Sequence, residues 1–516
     1  MVSDSTTTTF PIADRWSYVW LLVGGMLGLF AFGQWAVPLA SWIVIPFFIR
    51  FMHTQKPLRG YVMLSLVRMA LAAFYIGQIV PESLMPAQVR YIAIVVGSLS
   101  AILPYLADRL ISPHLKGVAA TLVFPLAFTA WEFLILSINP MGTFGAVAYS
   151  QFGNLPLLQL VSITGLAGIT FLITWFGSTA NWAWERSFSW PAIRRSVALY
   201  GLVIGLVLAY GGARLVLHDT GGGTMQIASF SLVSPPGEGV DLRSLVKSDR
   251  EAFRVRSRGF HDRYFSETRR QADAGAQLIL WPEAAGICAS EDEAALIERG
   301  RDVARENGIY LAMPLFTQHL PGEGRPENKL IVVDPAGEVV LEHYKYGGNQ
   351  FEGSVLGNRE LQSFQTPVAR VGGVICWDMD FPRVVSQAGR NGTDILLAPA
   401  NDWKTVASTH AHMAIFRAVE NGVSLVRHAK NGLSITTDPY GRTLATMDHF
   451  TASERLMIAQ VPTSGVNTAY SIIGDLFAWA TVVGFLLLVC LAVARSRRSK
   501  KPGANQESPG PPPVKK

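Results

Sequence analysis

The pattern of hydrophobic positions divides this chain of 516 residues into two halves. Residues 16–217 form near-continuous apolar runs, whereas residues 224–465 alternate short apolar runs with amphipathic stretches. Most runs of the first half, and another at 471–494, approach the roughly 20 residues that a helix needs to cross a bilayer. The runs of the first half are 16–33, 35–49, 61–80, 91–107, 117–138, 155–184 and 197–217. The pattern therefore predicts a polytopic α-helical membrane bundle with eight transmembrane helices.

Basic residues between the predicted spans indicate their orientation, because loops rich in Lys and Arg are retained on the cytoplasmic side of a membrane. These residues follow the second, fourth and sixth spans and are Arg50, Lys56, Arg59, Arg109, Lys116, Arg186, Arg194 and Arg195. The intervening loops carry almost none. We therefore expect both termini in the cytoplasm, and the second half of the chain on the extracytoplasmic side.

The second half has the pattern of a layered α/β domain, in which strands are interleaved with helices. Candidate strands are 225–230, 276–281, 309–316, 329–334, 338–343, 368–375, 394–399, 423–428, 432–437 and 443–447. Candidate helices are 249–274, 292–307, 382–391 and 408–421. We therefore expect a membrane domain (1–217), a globular domain (218–470), a final span (471–494) and a basic, disordered tail (495–516).

Composition and charge exclude several classes of protein. Charged residues make up 16% of the chain, against about 25% in a typical soluble domain, so a purely soluble protein is excluded. The net charge of +6 comes largely from the C-terminal tail, where a basic cluster after an apolar run indicates a membrane flank and argues against nucleic-acid binding. Three cysteines are too few for a disulfide framework, although Cys288 and Cys376 could pair.

Three polar residues stand at the ends of predicted strands, where catalytic groups are often placed. Glu283 follows the strand 276–281, Lys345 ends a predicted hairpin, and Cys376 follows the strand 368–375. A thiol of ordinary pKa needs a base or a positive neighbour to become nucleophilic. Glu283 can take its proton, and Lys345 can stabilise the oxyanion of a tetrahedral intermediate. Together they suit covalent acyl transfer, whereas each alone is also compatible with a structural role.

No metal or cofactor is indicated by the remaining candidate residues. His410 and His412 lie two positions apart, a spacing that suits shared metal ligation on a strand better than on a helix, and no Cys or carboxylate set nearby completes a site. Cys288 is expected to be an incidental loop residue. We therefore expect neither a metal site nor a cofactor.

The order of the three candidate residues resembles the Glu-Lys-Cys signature of the nitrilase superfamily. It is carried by Trp281-Pro282-Glu283, Tyr344-Lys345 and the run from Val374 to Pro382. The predicted order of seven spans, an extracytoplasmic domain and a last span resembles the architecture of the apolipoprotein N-acyltransferases, the membrane-embedded family of this superfamily. Further similarity lies in Trp131-Glu132-Phe133, in Ala400-Asn401-Asp402-Trp403, in the run from His412 to Gly422 and in the run from Arg427 to Ser434.

The resemblance implies an α-β-β-α sandwich for the globular domain, with Glu283, Lys345 and Cys376 as catalytic residues. It implies supporting or substrate-binding roles for Asn328, Glu352, Trp377, Asp378, Asn401 and Trp403. Glu352 would stand for the family's second glutamate, one position early. Phe351 and Trp403 could admit acyl chains, and ordinary packing is an equal alternative for both.

The implied reaction has two stages and two lipid partners. An acyl chain would pass from a membrane phospholipid to a Cys376 thioester, and then to the N-terminal amine of a diacylglyceryl-cysteine lipoprotein. The implied location is the bacterial inner membrane, with the catalytic domain on the periplasmic side and both termini in the cytoplasm. No nucleic-acid partner is implied.

Several substrate-side motifs depart from the family pattern. The residues after Lys345 differ from the family's run, Ile135 stands near the place of an expected arginine, and Ile227-Ala228-Ser229 replaces a Gln-Gly-Asn motif. Two alternatives therefore stay open. One is a Glu-Lys-Cys amidase or acyltransferase that acts on another amine or amide, and the other is a non-catalytic relative that binds lipids or lipoproteins.

Overall fold

The computed structural model describes residues 10–81, 84–217, 222–232 and 242–499. All regular secondary structure in the described part of the first half is helical. Its helices are α1 (Ser17–Gly28), α2 (Pro38–Thr54), α3 (Pro57–Ile79), α4 (Ala87–Ala101), α5 (Leu103–Ile111), α6 (Val118–Thr121), α7 (Val123–Ile138), α8 (Leu155–Leu158), α9 (Val161–Thr164), α10 (Leu166–Glu185) and α11 (Trp190–Leu217). Short 3-10 turns lie at Ser112–His114 and Val147–Gln151.

Fewer helices than predicted are long and apolar enough to cross a membrane. Among the described residues five pass by length and composition: Pro57–Ile79, Ala87–His114, Val118–Ile138, Trp190–Leu217 and Leu476–Arg497. A sixth is added if Leu155–Thr164 and Leu166–Glu185, which are bent by 119° against each other, form one broken span. The first predicted span is a helix of only 12 residues, and the second has 17. The chain is therefore a multi-pass membrane protein by these helices, and the count of eight is not confirmed.

The second half contains all fifteen strands of the described residues. They are β1 (Thr224–Phe230), β2 (Leu278–Leu280), β3 (Gly286–Ala289), β4 (Tyr310–Gln318), β5 (Glu327–Val333), β6 (Val339–Tyr344), β7 (Gln362–Gln365), β8 (Arg370–Gly373), β9 (Ile395–Leu397), β10 (Ala400–Asn401), β11 (Ser424–Arg427), β12 (Ala429–Lys430), β13 (Leu433–Thr437), β14 (Thr443–Asp448) and β15 (Leu456–Pro462). Its helices are α12 (Leu242–Ser248), α13 (Arg250–Asp273), α14 (Ser290–Asn307), α15 (Asn349–Glu352), α16 (Pro382–Arg390), α17 (Ala407–Asn421), α18 (Ala469–Ile473) and α19 (Leu476–Ser499). A 3-10 turn spans Cys376–Asp380.

These strands form two large mixed sheets that pack face to face. The first sheet has the order β15-β1-β2-β4-β5-β6, with β3 paired to β4, and the second has the order β14-β13-β11-β9-β8-β7. Side chains from both sheets, such as Leu280 and Leu397, share one buried cluster between them. Helices α13 and α14 cover the outer face of the first sheet, and α16 and α17 cover that of the second. The predicted α-β-β-α sandwich is therefore confirmed.

Ten predicted strands and four predicted helices of the sandwich are present, and five strands were missed: β3, β7 and β15 of the two large sheets, and the two-residue strands β10 and β12, which pair with each other. β3 and β7 have four residues each, too few to show a period, and β15 pairs antiparallel with β1 along its whole length. Cys288 lies buried within β3, so its expected place in a loop is wrong. Helix α19 continues through Ser499, so disorder is also wrong for 495–499. Residues 500–516 lie outside the described residues.

The two halves are joined by specific polar contacts. The Thr143 N–H donates to Asp380 O at 2.8 Å, and Gln159 Nε2 donates to Tyr440 O at 2.9 Å. Gly142 has a φ of +61° and lies so close to Asp380 that an added Cβ would be 2.3 Å from its carbonyl oxygen. Only glycine fits such a left-handed position at so close an approach. The connection after α7 is therefore fixed against the second half of the chain.

Helices α8 and α11 touch at Gly211, and this contact gives a test of the membrane packing. A Cβ at Gly211 would lie 1.8 Å from Pro156 O, whereas one at Gly212 meets nothing within 4 Å. Because overpacking costs about 1–3 kcal/mol, we expect Gly211→Ala to lower the melting temperature in detergent by several degrees. Gly212→Ala is the matched control and should be neutral or slightly stabilising. Equal melting temperatures for the two variants would contradict this packing.

Candidate active site

The three candidate catalytic residues come from separate chain segments that meet at the end of the sandwich facing the membrane half. Glu283 follows β2, Lys345 follows β6 directly, and Cys376 follows β8 after two residues. All three are buried, with exposed fractions of 4%, 1% and 5% respectively. All three also line one cavity. The structure therefore brings together residues that are far apart in the sequence.

Lys345 lies between two carboxylates and contacts both of them. Its Nζ donates to Glu283 Oε1 at 2.6 Å and also to Glu352 Oε1. Asn328 Nδ2 donates to Glu283 Oε1 at 2.8 Å and to Glu352 Oε2 at 3.0 Å. One ammonium group and one amide therefore satisfy two carboxylates next to the thiol. Glu352 thus occupies a position beside the lysine, although it departs from the family spacing.

Burial and charge set the protonation states of this group. Burial raises the pKa of the Glu283 carboxyl above its usual value, against the opposing charge of Lys345. Burial and the charge of Glu283 raise the pKa of the Cys376 thiol well above its usual range, again against Lys345. Burial would lower the pKa of Lys345, but the carboxylates of Glu283 and Glu352 raise it well above its usual value. The resting thiol is therefore protonated, and a base has to remove its proton before it can attack.

Cys376 has a backbone conformation that is uncommon outside glycine. Its φ is +48°, in the left-handed region, and such residues persist only where the surrounding structure holds them. Asp378 supplies part of this support, because its Oδ1 accepts the N–H groups of Tyr346 and Gly347 at 2.9 and 2.7 Å. Its Oδ2 accepts the Ile375 N–H at 2.9 Å. One carboxylate thus links the loop after the lysine to the strand end before the thiol.

Both halves of the chain line the cavity around the thiol, which has a volume of about 170 Å³. Leu84 and Phe144 come from the membrane half. From the other half, Phe351 stacks on Trp377 with ring centroids 5.3 Å apart. Trp403 donates its Nε1 hydrogen to Ile79 O, at the end of α3, at 2.6 Å. The cavity is thus closed on one side by aromatic rings that touch the membrane helices.

Comparison with known proteins gives the family. A family profile described as "Apolipoprotein N-acyltransferase N-terminal domain" matches residues 24–179, and one described as "Carbon-nitrogen hydrolase" matches residues 256–470. The apolipoprotein N-acyltransferase of Geobacter metallireducens is 26% identical over 77% of this chain and 78% of its own length. That of Bradyrhizobium diazoefficiens is 27% identical over 75% of each chain. This chain belongs to the apolipoprotein N-acyltransferase family.

An amidase from Nesterenkonia sp. is one of the similar solved structures. It is 23% identical, with 47% of this chain and 92% of the amidase covered and a TM-score of 0.38. Family membership of the present chain rests on the two profiles and the N-acyltransferase relatives. These cover both the helical half and the sandwich, so this N-acyltransferase family member is an acyl-transferring enzyme.

The supporting residues predicted for the family member lie around the same cavity, with the exception of Asp378. Those that line it are Asn328, Glu352, Trp377, Asn401 and Trp403. Asp378 is fully buried behind the thiol, where His343 Nε2 lies 2.8 Å from its Oδ2. Asn401 Oδ1 accepts a hydrogen bond from Asn431 Nδ2 at 3.1 Å. These supporting residues therefore either line the thiol cavity or form hydrogen bonds that support the residues around it.

A second polar cluster, Asp402 with His410 and Arg427, was missed as part of the site. Arg427 Nη2 donates to both oxygens of Asp402 at 2.9 Å. His410 Nδ1 lies 2.9 Å from Asp402 Oδ1, and its Nε2 lies 3.2 Å from Asp380 Oδ2. The sequence feature that could have indicated this cluster is Arg427, which stands near the end of the predicted strand 423–428. A buried guanidinium group needs a buried partner of opposite charge.

The same cluster includes a group of potential metal ligands. One ligand atom each of Cys376, Asp402 and His410 lie within 4.8 Å of one another. Both His410 nitrogens already face carboxylates, and Asp402 is held by the guanidinium of Arg427. A cation there would compete with that guanidinium, so the donor set does not fit a metal site. His410 and His412 lie on helix α17, where His412 stacks on Phe152 with centroids 4.4 Å apart.

His410 gives the family member a predicted pH dependence of stability. Burial would lower its pKa, but Asp380 and Asp402 raise the pKa of His410 from 6.5 to about 9. A raised folded-state pKa gives stability that is complete below pH 6.5 and is lost as the pH rises through about 9, on the order of 3 kcal/mol in all. We expect the melting temperature of His410→Gln to lie furthest below wild type at pH 6 and to approach it above pH 9.

The neighbouring histidine of α17 supplies the control for this measurement. His412 packs on an aromatic ring, and burial lowers its pKa. His412→Gln should therefore retain the loss of stability that the wild type shows between pH 6.5 and 9. A pH profile for His410→Gln parallel to that of the wild type would contradict a charged His410.

Proposed function

We propose that this chain is an apolipoprotein N-acyltransferase that moves an acyl chain from a membrane phospholipid to the N-terminal amine of a diacylglyceryl-cysteine lipoprotein. The observation that carries the proposal is the buried group of Cys376, Glu283 and Lys345 in a cavity walled by both halves of the chain. A thiol reached beside membrane helices suits substrates that their own acyl chains anchor in the bilayer. The names of the relatives specify N-acyl transfer to an apolipoprotein and so support the choice of acceptor.

In the first stage Glu283 takes the thiol proton while Cys376 Sγ attacks the ester carbonyl of the phospholipid. The new C–S bond gives a tetrahedral intermediate, whose oxyanion Lys345 Nζ stabilises. The Cys376 N–H donates to Pro399 O at 2.9 Å. In the described part of the chain the Trp377 N–H donates to no backbone oxygen, so it is the adjacent donor for the oxyanion. Glu283 returns its proton to the leaving alkoxide, and a lysophospholipid departs.

In the second stage the lipoprotein amine attacks the thioester carbonyl. Glu283 removes a proton from the attacking nitrogen, an amide bond forms, and the C–S bond breaks. The proton passes from Glu283 to the thiolate, so the resting thiol and carboxylate are restored. Aromatic side chains around the thiol, Phe351, Trp377 and Trp403, keep the cavity apolar and so limit attack by water.

The proposed topology extends the helices of the structure to eight crossings. It counts the 12-residue α1, the 17-residue α2 and the bent pair α9–α10 as spans in addition to the five long helices. Basic loops then face the cytoplasm, and the domain 218–470 lies on the periplasmic side of the inner membrane with both termini in the cytoplasm. The membrane domain is 1–217, and 471–494 forms most of the last span.

An acyl-enzyme measurement tests the proposal. Full-length protein in detergent or nanodiscs is incubated with phosphatidylethanolamine, and its intact mass is recorded before and after addition of a diacylated lipopeptide. We expect one acyl adduct per chain, which the lipopeptide discharges while gaining the same mass. Cys376→Ala should form no adduct, whereas Cys288→Ala, which changes a buried cysteine within β3, should form it normally.

Two outcomes would contradict the proposal in different ways. An adduct that water discharges but the lipopeptide does not would indicate hydrolysis or another acceptor. Absence of an adduct with every phospholipid, in protein that retains its wild-type melting temperature, would indicate a lipid-binding relative without transferase activity.

A further inference from the structure

A second and larger cavity lies between the membrane helices and the catalytic half. It has a volume of about 1100 Å³, slightly above the roughly 300–1,000 Å³ of common ligand pockets. It shares no lining residue with the thiol cavity, among the residues that the structure describes. Helix α15 separates the two, because Phe351 and Glu352 line the thiol cavity and Asn349 and Gln350 line the second. The proposed acyl transfer uses no residue of the second cavity.

One wall of the second cavity is apolar and belongs to membrane helices. Leu134 and Ile138 of α7 and Trp479 of α19 are 45%, 79% and 53% exposed, although all three lie near the sandwich end of long apolar helices. Phe133 packs edge-on against Trp479 with ring centroids 5.1 Å apart. Exposed apolar side chains on membrane helices, near the end that meets the sandwich, suit contact with the acyl chains of a lipid.

The rim of the same cavity carries three exposed arginines, Arg325, Arg359 and Arg383. Within the described ranges none of the three forms an ion pair with a carboxylate. Exposed arginines elsewhere do so, for example Arg258 with Asp292 and Arg269 with Glu306. Guanidinium groups without a carboxylate partner favour phosphate oxygens, which they bind with two parallel hydrogen bonds.

Two buried oxygen atoms of the cavity lining have no hydrogen-bond donor among the described residues. They are Glu420 Oε1 and Asn349 Oδ1, on side chains of residues that are 1% and 5% exposed. The amide nitrogen of Asn349 is fully used by Lys345 O, Ser354 Oγ and Val355 O. Buried acceptors normally have partners, so a ligand here should offer N–H or O–H donors as well as a phosphate.

We propose that the second cavity binds a glycerophospholipid in addition to the one that reacts at the thiol. Its acyl chains lie against α7 and α19, its phosphate binds the three rim arginines, and the ammonium or hydroxyl group of its head group faces Glu420 and Asn349. Phosphatidylethanolamine and phosphatidylglycerol both have this chemistry. The lipid also packs against α15, the helix that carries Glu352 beside Lys345. No acyl transfer is assigned to this site.

Photochemical labelling tests the proposal on the full-length Cys376→Ala protein, in which the thiol cannot be acylated. The probe is phosphatidylglycerol with a diazirine in one acyl chain, incorporated in nanodiscs, and cross-linked peptides are identified by mass spectrometry. We expect labels on α7 and on the first turns of α19. Replacing the three rim arginines by glutamine should lower this labelling at least about ten-fold, because glutamine lacks the charge with which each guanidinium group binds a phosphate oxygen.

Matched variants and probes separate a specific site from general contact with the bilayer. Glutamine at Arg256, Arg269 and Arg270, three exposed arginines of α13, removes the same charge and should leave labelling unchanged. A diazirine diacylglycerol, which lacks phosphate, should label the same peptides weakly. Equal labelling by the two probes, or wild-type labelling in the rim variant, would overturn the proposal. Displacement of the probe by a diacylated lipopeptide but not by phosphatidylglycerol would also overturn the proposal. That result would assign the cavity to the lipoprotein that accepts the acyl chain.

Discussion

Glu283→Gln is expected to slow formation of the acyl-enzyme by about 10²–10⁴-fold, the usual contribution of a general base. The Cys376 thiol is protonated at rest because burial and the charge of Glu283 raise its pKa, and an amide cannot accept its proton. The fold should survive, because a glutamine Oε1 can still accept the hydrogen bonds from Lys345 and Asn328. The rate of mass gain with phosphatidylethanolamine measures the effect.

The exposed strand residue Glu342 supplies the control for this substitution. It lies on β6, three residues before Lys345, and points away from the core. Glu342→Gln makes the same chemical change and should acylate at the wild-type rate. If Glu283→Gln also acylated at that rate, with an unchanged melting temperature, another group would have to be the base.

Lys345→Met is expected to cause the largest loss of stability as well as loss of activity. The ammonium group contacts both Glu283 and Glu352, and its residue is only 1% exposed. Removing one partner of a buried ion pair costs about 3–5 kcal/mol, because it leaves a charge without compensation. At about 2–4 °C per kcal/mol for a domain of this size, the melting temperature should fall by roughly 10 °C. Thermal denaturation in detergent measures the change.

A compensating substitution separates charge balance from catalysis. In Lys345→Met with Glu352→Gln one of the two carboxylates is neutral, so part of the lost stability should return. Acyl-enzyme formation should not return, because the oxyanion still lacks its cation. A melting temperature for Lys345→Met within a degree of wild type would show that the two carboxylates need no cation.

The sandwich could be predicted from the sequence because its strands and helices have clear periods and turn residues. Most strands that alternate or run apolar over at least five residues were recognised, although the seven-residue β15 was not. The predicted hairpin that ends at Lys345 is present, and Pro335-Ala336-Gly337 joins its strands β5 and β6. Four-residue strands such as β3 were missed, since so short a run shows no period. In the membrane half the sequence predicted apolar runs, but it could not show the 119° bend at Gly165 between α9 and α10.

The site residues that stand at strand ends could be predicted from the sequence. Those that belong to the site only through tertiary packing could not. Glu283, Lys345 and Cys376 stand just beyond strands, and that position is visible in the sequence. The cluster of Asp402 with His410 joins a strand end to a helix across the fold, and no local pattern encodes such a contact. Phe144 comes from the other half of the chain, and no pattern around it predicts that it lines the thiol cavity.

Trp403 contacts Ile79 O, and Leu84 and Phe144 line the thiol cavity, so residues of the membrane half form a lid over the Cys376 thiol. A fragment excised as a water-soluble module would lose this lid and leave its sulfur open to bulk solvent. Any thioester formed on the fragment would then meet water before it met an amine. We therefore expect the detached module to behave as a slow esterase, and selectivity for the amine to depend on keeping the polypeptide in one piece.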